Sequence, residues 1–430
     1  KPIKASKVDE RTVKFELPRA VAAIEANLYN IGVLPRHKLE AIYERGEFDK
    51  AWTTTATASD FAISGPFTLK EFVSGQRTVL ARNPNYWKKD SAGNALPYLD
   101  ELVIEAVPDA NTQTLKLQQG ELDVLDNLSP NQYASLMQQA GNLNVKDFGP
   151  GFRTDFLFFN LNDGKDVTGK PFVDPIKRAW FADVRFRRAI AHALDRPSMV
   201  QNVFRGLATP LDGIVPTSNK LWANMSLTRY DYNANRAKEL LQEAGFKLNA
   251  ENTLVDSAGH AVEFTLLVAE NQAERKQMAT IIQEDLNKIG IKVNVAPVEA
   301  SAFSDYVMKK LNYDAAVHGS ASTDTDPSSY SAILKTDGTQ HYWFMNQKQA
   351  TADWEQQLNK AVEEQDVASD ANMRKQRFDE AQKIFAEQLP MIPLVVRHYV
   401  SAAKNNLGNY RSSALPPRSL WNAEELFWKK

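Results

Sequence analysis

The stretch from Val262 to Val295 constrains this chain more tightly than any other. Val262 to Val268 is an apolar run of strand length, Ala273 to Ile289 has helical spacing and stops at Gly290, and Ile291, Val293 and Val295 alternate with other residues. A strand, a helix and a strand in that order make a βαβ unit, whose crossover is right-handed and whose strands lie parallel. The body around it is therefore expected to be α/β.

The flanking segments extend that reading. Asp183 is placed to cap a helix whose Val184, Ile190, Ala191 and Leu194 share one side, leaving Arg185, Arg187 and Arg188 for solvent or acidic neighbours. Asp231 is expected to cap a helix from Asn233 to Ala244 that Gly245 terminates. A helix at Ala302 to Leu311 then leads into a strand at Tyr313 to Val317 and a polar loop from Gly319 to Ser329. Helices at about Thr351 to Glu364 and Ala371 to Gln388 precede an apolar strand at Ile392 to Val396. Upstream, Val13, Phe15 and Leu17 alternate within Arg11 to Pro18 as in a half-buried strand, and helical segments come next at Arg19 to Leu28 and Leu39 to Arg45. Phe67 to Val73 and Arg77 to Arg82 flank Ser74-Gly75-Gln76 as a β-hairpin, with Trp87 beyond it as a structural anchor. A strand is expected at Leu102 to Val107, and a helix from Ala110 to Gln118 that stops at Gly120. The flanks read as α+β.

At roughly 150 residues per domain, 430 residues suggest about three domains or two large ones. Lys and Arg number 51 against 53 Asp and Glu, a net charge of -2, which gives no reason to expect nucleic acid or an anionic membrane as partner. Apolar stretches such as Ala189 to Leu194 and Met391 to Val396 fall far short of the ~20 residues that span a bilayer. The opening Lys-Pro-Ile-Lys-Ala-Ser-Lys is followed by no apolar segment and is not an intact signal peptide. Zero Cys removes thiol catalysis, Cys-ligated zinc and disulfides, and suits an oxidising, extracytoplasmic compartment.

Phosphate-loop, dinucleotide, zinc-protease and nucleophile-elbow strings are all absent from the sequence. The six His are scattered, although His318, His341 and His398 lie near expected strand ends, where convergence on a metal competes with plain hydrogen bonding. Asp324 and Asp326 in one loop suit acid/base work, but the stronger reading is turn chemistry, each side chain accepting from backbone amides ahead of Pro327. The same loop ends a parallel strand, where ligands of α/β sheets sit, and it offers Ser320, Ser322, Thr323 and Asp324 as polar contacts. In Tyr342-Trp343-Phe344, Trp343 is the candidate ligand wall, with core packing expected for at least one of the three rings. Arg153 is a weaker candidate, as a partner for a carboxylate.

Several motifs, in order along nearly the whole chain, resemble those of the family 5 extracellular solute-binding proteins of ABC transporters, which include dipeptide, oligopeptide and nickel binders. The residues are Ser64-Gly65-Pro66-Phe67, Arg82-Asn83-Pro84-Asn85-Tyr86-Trp87, Pro97-Tyr98-Leu99-Asp100 and Gln119-Gly120-Glu121-Leu122-Asp123. They continue with Phe158-Phe159-Asn160, the run from Phe181 to Ile190, Ala193-Leu194-Asp195-Arg196, Lys238 to Phe246, and Leu389 to Leu394.

The resemblance implies a two-lobed α/β periplasmic-binding-protein fold of the class with an extra domain, N-terminally incomplete here. Residues 1–57 would be the end of the extra domain, 58–161 with 396–430 the first lobe, and 162–395 the second. It also implies an extracytoplasmic, monomeric receptor, tethered to a membrane through its missing start, that closes its lobes on a peptide or similar polar solute and delivers it to a permease, without cofactor or resident metal. A metal-chelate or haem carrier of the same fold and a carboxylate-dependent hydrolase are the alternatives. The peptide binders carry Trp-x-x-Asp ahead of an acidic residue and Pro, the Asp meeting the peptide amine. Here Asp326-Pro327 is kept, but Ser320 stands at the Trp position and Thr323 at the carboxylate position, with Asp324 one residue later.

Overall fold

The computed structural model describes residues 3–29, 31–322 and 324–429. They form two compact units, each made of two separate stretches of chain. Residues Lys1–Ala26 and Gly149–His398 belong to one, and Asn27–Phe148 with Tyr399–Lys430 to the other.

The chain opens with a two-stranded antiparallel ribbon, β1 (Lys4–Lys7) and β2 (Val13–Glu16). The expected strand is present, but both of its faces are exposed, Val13 and Phe15 included, because it pairs only with β1. The helix expected from Arg19 is shorter, Ile24–Tyr29, whereas the one expected at Leu39 to Arg45 starts earlier and runs Arg36–Glu44.

In the unit of residues 27–148 and 399–430, strands β3 (Phe67–Val73), β4 (Arg77–Arg82) and β5 (Glu101–Glu105) form an antiparallel meander. Gly75 turns the hairpin at φ 70°, a left-handed conformation that a Cβ disfavours. The next motif is held by its Asn. Asn83 is buried, its Nδ2 donates to the carbonyls of Ile63 and Gly65, and its Oδ1 accepts from Asn85 N–H, so one amide closes three backbone groups. Tyr86, not Trp87, anchors the segment: Tyr86 Oη donates to Glu424 at 2.5 Å, while Trp87 is 73% exposed. Helix α1 (Ala110–Gln119) is capped by Asp109 and ends at Gly120, and α2 (Pro130–Gln138) comes after the short strand β6 (Val124–Asp126).

The other unit holds the large core. Its sheet runs, in spatial order, β10 (Lys292–Val298), β9 (Glu263–Ala269), β11 (Ala315–Ala321), β7 (Leu143–Phe159) and β12 (Met391–Lys404), with β8 (Ala208–Pro210) on β12. β9 is parallel to β10 and to β11, as the βαβ pattern predicts, and β11 is antiparallel to β7. β7 and β12 are long enough to continue from one unit into the other, and β6 pairs with the far end of β12. The strand expected at Ile392 to Val396 is thus the first part of a longer one. The expected boundaries after residues 161 and 395 compare with divisions at 148/149 and 398/399, which place the fully buried run Phe156–Phe159 in this unit.

Helix α3 (Val184–Ala193) is capped by Asp183, α4 (Ala234–Glu243) is capped by Asn233 and not by Asp231, and α5 (Ala273–Asn287) links β9 to β10. The two late helices are α6 (Asp353–Val367) and α7 (Ala371–Gln388). The arginines of α3 correct the sequence reading, since Arg187 is 1% exposed. It donates to the carbonyls of Gln388, at 3.0 Å, and Phe181, at 2.6 Å, and Arg188 donates to that of Glu387. The last carbonyls of α7 have no intrahelical donor, and a cation there also meets the negative end of the helix dipole. Burial pushes Arg187 down to about 10, so it stays charged at neutral pH.

Arg187→Ala strips these carbonyls of their donor inside the core and is expected to cost about 3 kcal/mol in urea unfolding. Arg185→Ala, removing an exposed guanidinium, should leave the urea midpoint far less changed.

Candidate functional site

The site builds outward from the end of β11. That strand runs two residues past Gly319, where the sequence suggests a loop, pairing Ser320 with Thr154 and Ala321 with Arg153 of β7. Ser322 N–H then donates to Phe152 carbonyl at 3.1 Å. Both β9 and β11 finish here, so backbone and side-chain polar groups emerge at the carboxyl ends of parallel strands.

Beyond Ser322 the two carboxylates perform the turn chemistry expected of them. Asp324 Oδ1 accepts from Asp326 N–H at 2.8 Å, Asp326 Oδ1 accepts from Ser328 N–H at 2.9 Å, and Ser322 Oγ donates to Asp324 carbonyl at 2.6 Å. Arg374 of α7 then takes Asp326 in both hands, NH1 to Oδ2 at 2.8 Å and NH2 to Oδ1 at 2.6 Å. Burial raises Asp326, but the Arg374 and Ser328 hydrogen bonds outweigh it and hold the carboxyl below its usual range. Asn219 Nδ2 ties Thr325 carbonyl, and Ser218 Oγ ties Gly151 carbonyl, so the rim is braced from several sides. Asp326 is thus committed to Arg374, and Asp324 Oδ1 to the turn. Thr323 lies outside the described residues.

Beneath the rim is a buried ionic cluster that sequence reasoning missed. Asp155, 0% exposed, accepts from Arg397 Nε at 2.7 Å on Oδ2 and from Arg275 Nε at 2.7 Å on Oδ1. Burial raises its carboxyl, yet the two guanidiniums win and hold it low. A Cβ on Gly319 would fall 2.2 Å from Arg275 NH2 and 2.5 Å from Thr154 carbonyl, so the guanidinium crosses the strand only because that residue is glycine. The signal was present: Asp155 directly precedes the apolar run Phe156–Phe159 and Arg397 directly follows Met391–Val396, and a buried charge must be paired.

The candidate residues therefore separate. Ser320, Ser322, Asp324 and Arg153 share the end of the β7–β11 pair. Trp343 does not belong with them and is withdrawn as a ligand wall. It is fully buried, packs against the His341 ring at 3.9 Å between centres and donates from Nε1 to Glu355 at 3.3 Å. The histidines do not converge either. Both ring nitrogens of His341 are engaged, by Ile333 carbonyl and Gln347 Oε1; His398 meets Thr209 Oγ1, and His318 packs between Phe303 and Tyr342. Among the described residues no three His, Asp or Glu are grouped to hold a metal ion.

Two measurements probe this geometry. Asp155→Asn leaves two buried guanidiniums without their counter-charge and is expected to destabilise the fold by about 3–5 kcal/mol in urea. Burial holds His341 down to about 4, against an ordinary 6.5. Between those values the unfolded chain binds the extra proton, so stability is lost as pH falls through this window. The urea midpoint should drop from about pH 7 to about pH 5, and His341→Gln should flatten part of that fall.

With this geometry in place, three comparisons locate the chain among known proteins. Residues 1–342 match the family described as bacterial extracellular solute-binding proteins, family 5, middle. A probable ABC transporter-binding protein of Deinococcus radiodurans is 32% identical over 328 residues, 73% of this chain and 53% of that protein. Oligopeptide-binding protein AppA of Bacillus subtilis is 27% identical over 425 residues, 94% of this chain and 69% of AppA. The chain thus spans about half of the first relative and about two thirds of the second. The structure of the same AppA in complex with a nonapeptide superposes with a TM-score of 0.71 at 25% identity, over 100% of this chain and 78% of that one. The chain belongs to the family 5 bacterial extracellular solute-binding proteins.

Proposed function

We propose that this protein is the extracytoplasmic substrate-binding component of an ABC importer, capturing a peptide or similar polar solute by closure of two lobes and delivering it unchanged to a membrane permease. The observation that carries the reading is the braced polar rim at the end of β11, where Ser320, Ser322, Thr323, Asp324 and Arg153 are the proposed contacts. An extended solute laid against such a strand end gains backbone hydrogen bonds irrespective of its side chains, which suits broad peptide capture. Closure would be a population shift, favoured to the extent that the solute binds the closed form better than the open one. The relative that binds oligopeptides supports this choice of solute. No described helix is long and apolar enough to cross a membrane, which is consistent with a receptor that works beside a separate permease.

Calorimetry of the full chain with pooled tri- to nonapeptides should give saturable heat, and mass spectrometry should recover the bound peptides at unchanged mass. Shortened products would favour the hydrolase alternative. Absence of both heat and thermal shift would overturn the peptide reading.

A further inference from the structure

Arg153 stands out because no carboxylate among the described residues pairs with it directly. It lies two residues before Asp155 on β7, and alternate residues of a strand share a face, so it projects on the side of the buried ionic cluster. Both oxygens of Asp155 are already occupied, Oδ2 by Arg397 Nε, and Oδ1 by Arg275 Nε and by Arg397 NH2 at 3.1 Å. The remaining nearby carboxylate, Glu274, pairs with Arg397 NH1 at 3.5 Å. Three guanidiniums thus share two carboxylates, a local surplus of one positive charge. Arg153 itself is half-buried and makes no side-chain hydrogen bond or ion pair among the described residues. Burial and the like charge of Arg397 both weaken its hold on its proton, Asp155 and Glu274 only partly offsetting them. His318 is held neutral by burial, down to about 4, and adds no charge of either sign at neutral pH.

A half-buried, unpaired guanidinium destabilises the molecule that carries it, and the cost disappears when an anion arrives. Arg153 pairs in register with Ala321, one residue before the proposed contact Ser322, so an anion bound to it would sit at the same rim. We propose that Arg153 receives a carboxylate of the captured solute, making a free carboxylate the group that this receptor selects. The inference rests on the peptide-receptor reading and narrows it: uncharged solutes and peptides with a blocked carboxyl end are discriminated against, while the rim contacts stay indifferent to sequence. A planar guanidinium suits the task, since it can hold both oxygens of a carboxylate.

The test has two arms, both on the full chain. In the ligand-free protein, Arg153→Met should raise the melting temperature by about 2 °C or more, because an unpaired charge is replaced by an apolar stem of similar length. An unchanged or lowered melting temperature would overturn the proposal, since it would mean that the guanidinium is already neutralised. In the second arm, calorimetry compares one pool of tri- to pentapeptides as free acids with the same pool as C-terminal amides. The wild type should bind the acids at least about tenfold more tightly, and Arg153→Met should reduce that preference to under about threefold. Equal binding of acids and amides by the wild type would overturn the carboxylate assignment and leave the peptide receptor standing. Binding of neither pool, with the melting temperature still raised by Arg153→Met, would overturn the peptide reading and retain Arg153 as an anion seat.

Discussion

The Asp155 carboxylate is the constraint around which the larger unit is arranged. It sits at 0% exposure on β7, faces Arg397 on the neighbouring β12 and Arg275 on α5, and so links two strands and a helix through one pair of oxygens. A carboxylate and guanidiniums in an apolar interior gain little net stability over a hydrophobic substitute, but each member left alone is costly. Their worth is register. Slipping β12 by one residue along β7 would turn Arg397 to the opposite face and strand both charges.

That arrangement explains several choices at once. Gly319 is required where the Arg275 guanidinium crosses β11, and Phe204 lies against the Arg397 plane with the guanidinium carbon 5.2 Å from its ring centre. The rim above it is organised by a second, separate pair, Asp326 with Arg374, which fixes the loop to α7. The molecule thus uses both buried ionic contacts to hold backbone in place, while the polar residues of the strand end stay half-buried.

Much of the fold was legible because local rules and tertiary packing agree. Val262 to Val295 alternates between strand and helix periods, Gly290 stops the helix, and the structure places the two strands parallel as that pattern demands. The hairpin at Gly75, the stop at Gly120 and the cap at Asp183 were likewise readable from turn and cap chemistry. What escaped was long-range. Helical spacing puts Arg187 among Val184, Ile190, Ala191 and Leu194, but its charge marks it for solvent, and only the arrival of the end of α7, some two hundred positions later in the chain, makes it a core donor. Trp343 sits beside polar loops in sequence, yet Glu355 and His341 close over it. The rim residues were chosen because they follow an expected strand, whereas the surplus charge at Arg153 emerges only after Asp155, Arg275 and Arg397 are brought together.

The interleaved course of the chain has a consequence for biosynthesis. β12 supplies strand pairing to β7 and β8 in one unit and to β6 in the other, although it begins only at Met391. The seven-stranded sheet cannot be completed until this strand has been made, so the nascent chain exposes apolar strand edges up to that point. A sequence of this design favours delayed, concerted maturation and gives holding factors an interval in which to act on it before β12 pairs with its neighbours.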